Sequence, residues 1–172
     1  EQYHGKIAAN CRESFGPAWI VSENMLHLST WVLAGALVWP VRWGGWSVAT
    51  LFWALIVVVV QVLLKKHNCS GCYYYGKNCH LGWGKISAWL FRPDSGSPKT
   101  GMRLCLFYIL SPPVFLVAGV LTGAMLEVGL THWVLLGLYV ALNVVVVAAR
   151  SRGCRICAMR RACPGSAAPG GG

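Results

Sequence analysis

The sequence predicts an all-α integral membrane protein. Four transmembrane helices are arranged as two tandem helical hairpins, each followed by a cysteine motif. Three observations predict it. Of 172 residues, 56% are hydrophobic and only 12% charged, where soluble domains carry about 25% charged residues. The mean hydropathy of +0.54 reflects more apolar surface than one small core can bury. The apolar residues also gather into four runs, 18–39, 45–64, 104–126 and 130–149. Each is near the ~20 residues that cross a ~30 Å hydrocarbon core as a helix. Helix is required there, because lipid offers no hydrogen-bond partner to an open strand.

Residues 1–17 form a polar N-terminal segment carrying Cys11, with no apolar core of a signal peptide. The first hairpin, 18–64, has Glu23, Asn24 and His27 near its start and a turn at Pro40–Gly45. We expect Glu23 and Asn24 to cap this span at the membrane interface. His27, inside the span, is a candidate ligand for a haem or pigment. The loop 65–103 contains the first cysteine motif, then KISAWLFR (85–92), then the linker PDSGSPKTG (93–101). Ile86, Trp89 and Leu90 share a helical face, which suits a short helix lying at the interface or one packing on the loop. The second hairpin, 104–149, carries Ser111-Pro112-Pro113, expected to kink the helix, and Gly119/Gly123 as a helix-contact face. The tail, 150–172, holds the second cysteine motif and ends in a Gly/Ala/Pro string expected to be disordered.

With four spans, both termini and the long loop share one side. That side holds fourteen of the fifteen Lys and Arg; the two short turns hold only Arg42. The positive-inside rule makes that side the cytoplasm, in the plasma membrane of a prokaryote. It also accounts for the net charge of +10 without a nucleic-acid partner. The expected partners are the lipid bilayer and other subunits of a membrane complex.

All eight cysteines fall on that side. The first motif is Cys69-x2-Cys72-x6-Cys79, followed by His80. The second is Cys154-x2-Cys157-x5-Cys163. Each begins five residues after an apolar run, which suggests a parallel internal repeat of hairpin plus motif. C-x2-C places two thiolates on one tight turn, within reach of one metal or cluster. Three cysteines do not complete a site. Cys11 and Cys105, or His80 or His67, are the completing ligands to hand. Disulfides do not suit a reducing cytosol; with inverted topology they would, and Asn68-Cys-Ser would read as a glycosylation sequon.

Zinc and iron–sulfur centres both accept four thiolates. Cys163-Pro164 is similar to the Cys-Pro that ends ferredoxin cluster runs, but neither motif has the ferredoxin spacing. An iron–sulfur centre is favoured slightly over zinc, because eight cysteines are many for staples. The reading is a small membrane subunit with one or two such centres, anchoring or relaying electrons for a larger complex and not catalytic by itself. The alternatives are a structural or assembly subunit with zinc-stapled motifs, and a soft-metal-handling membrane protein. With five acidic residues widely spread, general acid–base chemistry has little to work with.

Overall fold

The computed structural model describes residues 11–161, 163, 166 and 167. Most of the N-terminal segment and the Gly/Ala/Pro string expected to be disordered lie outside the described residues. Among the described residues the chain is all-helical, with no strand. Five α-helices follow in order: α1 Pro17–Leu37, α2 Val48–Leu64, α3 Trp83–Leu90, α4 Pro98–Met125 and α5 Leu130–Arg155. A π-helical turn, Lys65–Cys69, extends α2.

Local chemistry sets the boundaries. Pro17 and Pro98 open α1 and α4, positions where the missing N–H costs nothing. Ser47 Oγ accepts the Thr50 N–H to cap α2. Helix α4 begins six residues before its apolar run, so residues 98–101 of the expected linker are helical, and it stays helical through Pro112 and Pro113.

Three helices are long and apolar enough to cross a membrane: Val48–Cys69, Pro98–Met125 and Leu130–Arg155. Four spans were expected. Helix α1 has the length, at 21 residues, but Ser22, Glu23, Asn24, His27, Ser29 and Thr30 dilute its hydropathy. Three of these side chains point inward instead of to lipid: Glu23, His27 and Thr30 are buried, whereas Ser22 and Ser29 stay exposed. The outward faces are apolar, as at Val58, Leu110 and Val144, an arrangement that suits lipid contact and makes the chain a membrane-associated protein.

The interior combines small and aromatic residues. Ala34, Leu37, Trp53, Val57, Leu136 and Tyr139 form the central core. Trp53 donates to the Trp31 carbonyl at 2.9 Å and Thr50 to the Gly35 carbonyl at 2.8 Å, tying α2 to α1. Gly119 packs under Leu136 and Gly123 under Trp133, so the expected small-residue face is used within the chain, against α5. At that end His132 bonds the Gly119 carbonyl at 2.8 Å, which holds α5 to α4. The structure does not establish the repeat. The first motif lies on a π turn and a loop packed on α3, whereas Cys154 of the second is still inside α5.

Helix α3 covers most of KISAWLFR and packs on the loop. Ser87, fully buried, donates to the Lys65 carbonyl at 2.9 Å. Ile86, Trp89 and Leu90 face outward, Trp89 being 83% exposed. The helix packs on the π turn by its small-residue side and presents its apolar side outward.

Candidate functional site

The start of α1, the end of α2, the start of α4 and the end of α5 meet at one end of the molecule. There the ends of α2 and α5, the start of α4, the loop after α2 and the tail after α5 enclose a cavity of about 100 Å³. Its wall includes all six motif cysteines, together with Cys105 and His80. The two motifs, 85 residues apart in sequence from Cys69 to Cys154, therefore face one shared space rather than two.

Each C-x2-C closes in the same way. The Cys72 N–H donates to the Cys69 carbonyl at 3.3 Å, and the Cys157 N–H to the Cys154 carbonyl at 3.2 Å. The chain then turns back to bring in the third thiol, with the Cys163 N–H bonded to the Met159 carbonyl at 2.8 Å. The segment 11–15 bridges the two motifs: Arg12 N–H donates to the Ile156 carbonyl at 2.8 Å, and Phe15 N–H to the Asn78 carbonyl at 3.0 Å. Tyr74, almost fully buried, donates through its hydroxyl to the Arg12 carbonyl and accepts the Ala158 N–H at 3.1 Å. Of the three adjacent tyrosines, Tyr74 alone lines the cavity; Tyr75 bonds the Phe91 carbonyl, and Tyr73 lies under the Lys77 ammonium.

The completing ligands proposed from sequence separate at this point. Cys105 lines the cavity, and its sulfur accepts from Asn68 Nδ2 at 3.1 Å. Cys11 packs beside the wall with Phe15, Tyr74, Cys157 and Met159. His67 is turned away: its Nδ1 accepts the Ser97 N–H at 3.0 Å and so braces the start of α4. His27 is not on this wall. Two cations flank the thiols. Lys65 lies over the Trp83 ring, and Arg150, which lines the cavity, over the Tyr108 ring.

Among the described residues, no group of three or more His, Cys, Asp or Glu side chains is arranged to hold a metal ion. The thiols surround a space instead of converging on a point. Burial pushes the Cys72 thiol up, and its neighbours Cys163, Cys79 and Cys157 add to this. Cys157 is pushed up to about 11, again by burial first and then by Cys154 and Cys79. At neutral pH these two thiols are protonated.

Sequence reading missed the partner of His80. Glu23, expected as an interfacial cap, lies two turns inside α1 and is only 3% exposed. Its Oε2 is 2.6 Å from His80 Nδ1, and its Oε1 accepts from Trp19 Nε1 at 3.0 Å. Asn24 likewise bonds across to the Leu81 carbonyl at 3.0 Å. Gly153 makes room for this: a Cβ there would sit 2.9 Å from Glu23 Oε1 and 3.3 Å from His80 Nδ1. Burial alone would lower the His80 pKa, but hydrogen bonds to Cys154 and Glu23, with the Glu23 charge, raise it to about 9.

That shift makes a prediction. A group whose pKa rises on folding stabilises the fold fully below its ordinary value, 6.5 here, and the stabilisation is lost as pH rises through about 9. The groups facing His80 are Glu23 from α1 and Cys154 from α5. The melting temperature of the solubilised protein is expected to fall between pH 6.5 and 9, and to fall less in Glu23→Gln. A flat profile in the wild type would show that His80 is neutral in the folded chain.

Comparison of the chain with family models, with curated proteins and with solved structures gave no match.

Proposed function

We propose that this chain is a small integral membrane subunit whose thiol-lined cavity takes a polynuclear, cysteine-ligated metal centre of the iron–sulfur type. In that role it anchors or relays electrons for a larger membrane complex. The observation that carries this reading is the sharing of one cavity by Cys69, Cys72, Cys79, Cys154, Cys157 and Cys163, with Cys105 beside them. A single tetrahedral ion would be served by four sulfurs drawn to about 2.3 Å from one point. The wall here is wider. Its space of about 100 Å³ exceeds severalfold the ~10–15 Å³ that one water needs, which favours a guest of several atoms. Lys65 and Arg150 are placed to offset the negative charge of thiolate ligands.

In this proposal α1 serves as the fourth span, with Glu23, Asn24, His27 and Thr30 turned to the bundle and the loop. The cavity then lies at the cytoplasmic face, where fourteen of fifteen Lys and Arg gather.

The test is chemical. Protein produced with ample iron and purified without oxygen should be coloured and contain iron with acid-labile sulfide. Cys72→Ser and Cys157→Ser, one from each motif, should each remove most of that iron. A colourless protein with stoichiometric zinc would replace this reading with the structural one. Retention of full iron by both variants would overturn it.

A further inference from the structure

We propose that a second cavity, inside the helical bundle, is a hydrated pocket, and that its water reaches the wall of the thiol cavity. This inference stands whether or not the thiols hold a metal.

The pocket has a volume of about 70 Å³ and is walled by α1, α4 and α5, with Trp53 of α2. His27 of α1 lines it and is 95% buried, being 5% exposed. Its Nδ1 lies 2.8 Å from the Glu23 carbonyl, and a carbonyl only accepts, so Nδ1 carries the proton. Nε2 of the neutral ring is then an acceptor, and it is buried with no hydrogen-bond partner. A buried polar atom left so costs about 1–3 kcal/mol.

A second acceptor lacks its usual helical donor. Pro112 also lines the pocket, and it has no N–H to give the Tyr108 carbonyl one helical turn earlier. Ser111, Asn143 and Arg150 complete the polar wall.

This set of groups selects the guest. A metal cation would meet the Arg150 guanidinium. An anion would meet the unprotonated imidazole nitrogen and a carbonyl oxygen. A neutral molecule that both donates and accepts satisfies His27 and Tyr108 while still accepting from Arg150, and water is the smallest. Each buried water needs about 10–15 Å³ and two to four polar partners, so the pocket of about 70 Å³ has room for several. Tyr108 and Arg150 line both this pocket and the thiol cavity. Gln61 donates to the Tyr108 hydroxyl from the α2 side and so fixes the ring between them. The water therefore forms a hydrogen-bonded route from His27, in the apolar interior, to the base of the thiols.

Radiolytic hydroxyl labelling of the full chain in lipid nanodiscs tests this, since radicals made from bound water oxidise the side chains beside it. Tyr139, which lines the pocket and is 3% exposed, should be labelled in the wild type despite its burial, and the half-buried Tyr108 with it. His27→Leu should abolish most of that labelling while leaving Trp43 and Trp89, both at exposed ends, unchanged. Asn143→Leu, from the opposite wall, should do the same, and it provides the test if His27→Leu does not fold. Unlabelled Tyr108 and Tyr139 in the wild type, or equal labelling in a folded variant, would overturn the proposal.

Discussion

Glu23→Ala is expected to destabilise the protein by about 3–5 kcal/mol, the loss that follows when one partner of a buried ion pair is removed. The His80 pKa of about 9 means that the imidazole is protonated at neutral pH, so the substitution strands a positive charge between Phe15, Cys154 and the end of α5. It also removes the acceptor of Trp19 Nε1. Deprotonation of His80 limits the damage, which gives the prediction a second signature. Above about pH 9 the histidine is neutral in the wild type as well, and the difference between the two proteins should shrink. Glu23→Gln keeps the Trp19 bond and should cost less. Thermal unfolding in detergent at pH 7 and pH 10 measures both. A loss under about 1 kcal/mol, the range of solvent-exposed pairs, would show that water screens this pair.

Gly84→Ala should be nearly as severe, for a steric reason. A Cβ at Gly84 would sit 1.9 Å from the Tyr74 carbonyl oxygen and 2.6 Å from that of Lys77. Both are backbone atoms and neither can rotate away. The loop that carries Cys72 and Cys79 would have to lift from α3, losing the Gly76 N–H to Gly84 carbonyl bond of 3.0 Å. Overpacking of this kind costs about 1–3 kcal/mol or more, and rigid backbone puts this case at the upper end. Reactivity of Cys72 and Cys79 toward a soluble maleimide should rise with it. Gly137→Ala is the control: nothing lies within 4 Å of its Cβ position, and alanine in mid-helix is favoured over glycine by about 0.5–1 kcal/mol. A Gly84→Ala protein as stable as that control would mean that the loop is not seated on α3.

The apolar helices were legible because membrane crossing is a local property. Twenty adjacent residues decide it, and α2, α4 and α5 needed no tertiary information. The gathering of the cysteines was also legible, since a hairpin returns the chain to the side it left. Helix α1 was harder. Glu23 and Asn24 were read as caps because a charge inside a span is costly. What makes them tolerable is His80 and Leu81, 57 residues away, and no spacing or periodicity announces such a pairing. The same holds for Phe15 and Tyr74, whose burial comes from the segment 11–15 crossing between the motifs. The π turn at Lys65–Cys69 has no sequence signature either; it is set by how α2 meets α3 and the start of α4. His80 was noticed for the right reason, its position after Cys79, but its Nδ1 turned out to be engaged by a carboxylate.

The shared cavity also fixes an order of events in the life of the chain. Its wall draws on α2, α4 and α5, and Cys154, Cys157 and Cys163 leave the ribosome only as α5 is completed or after it. Cys69, Cys72 and Cys79 must wait through the synthesis of α3, α4 and α5 with half of their surroundings missing. Any guest of this cavity is therefore received by a chain already threaded into the bilayer, and a ribosome stalled within α4 would display three unprotected thiols at the membrane surface.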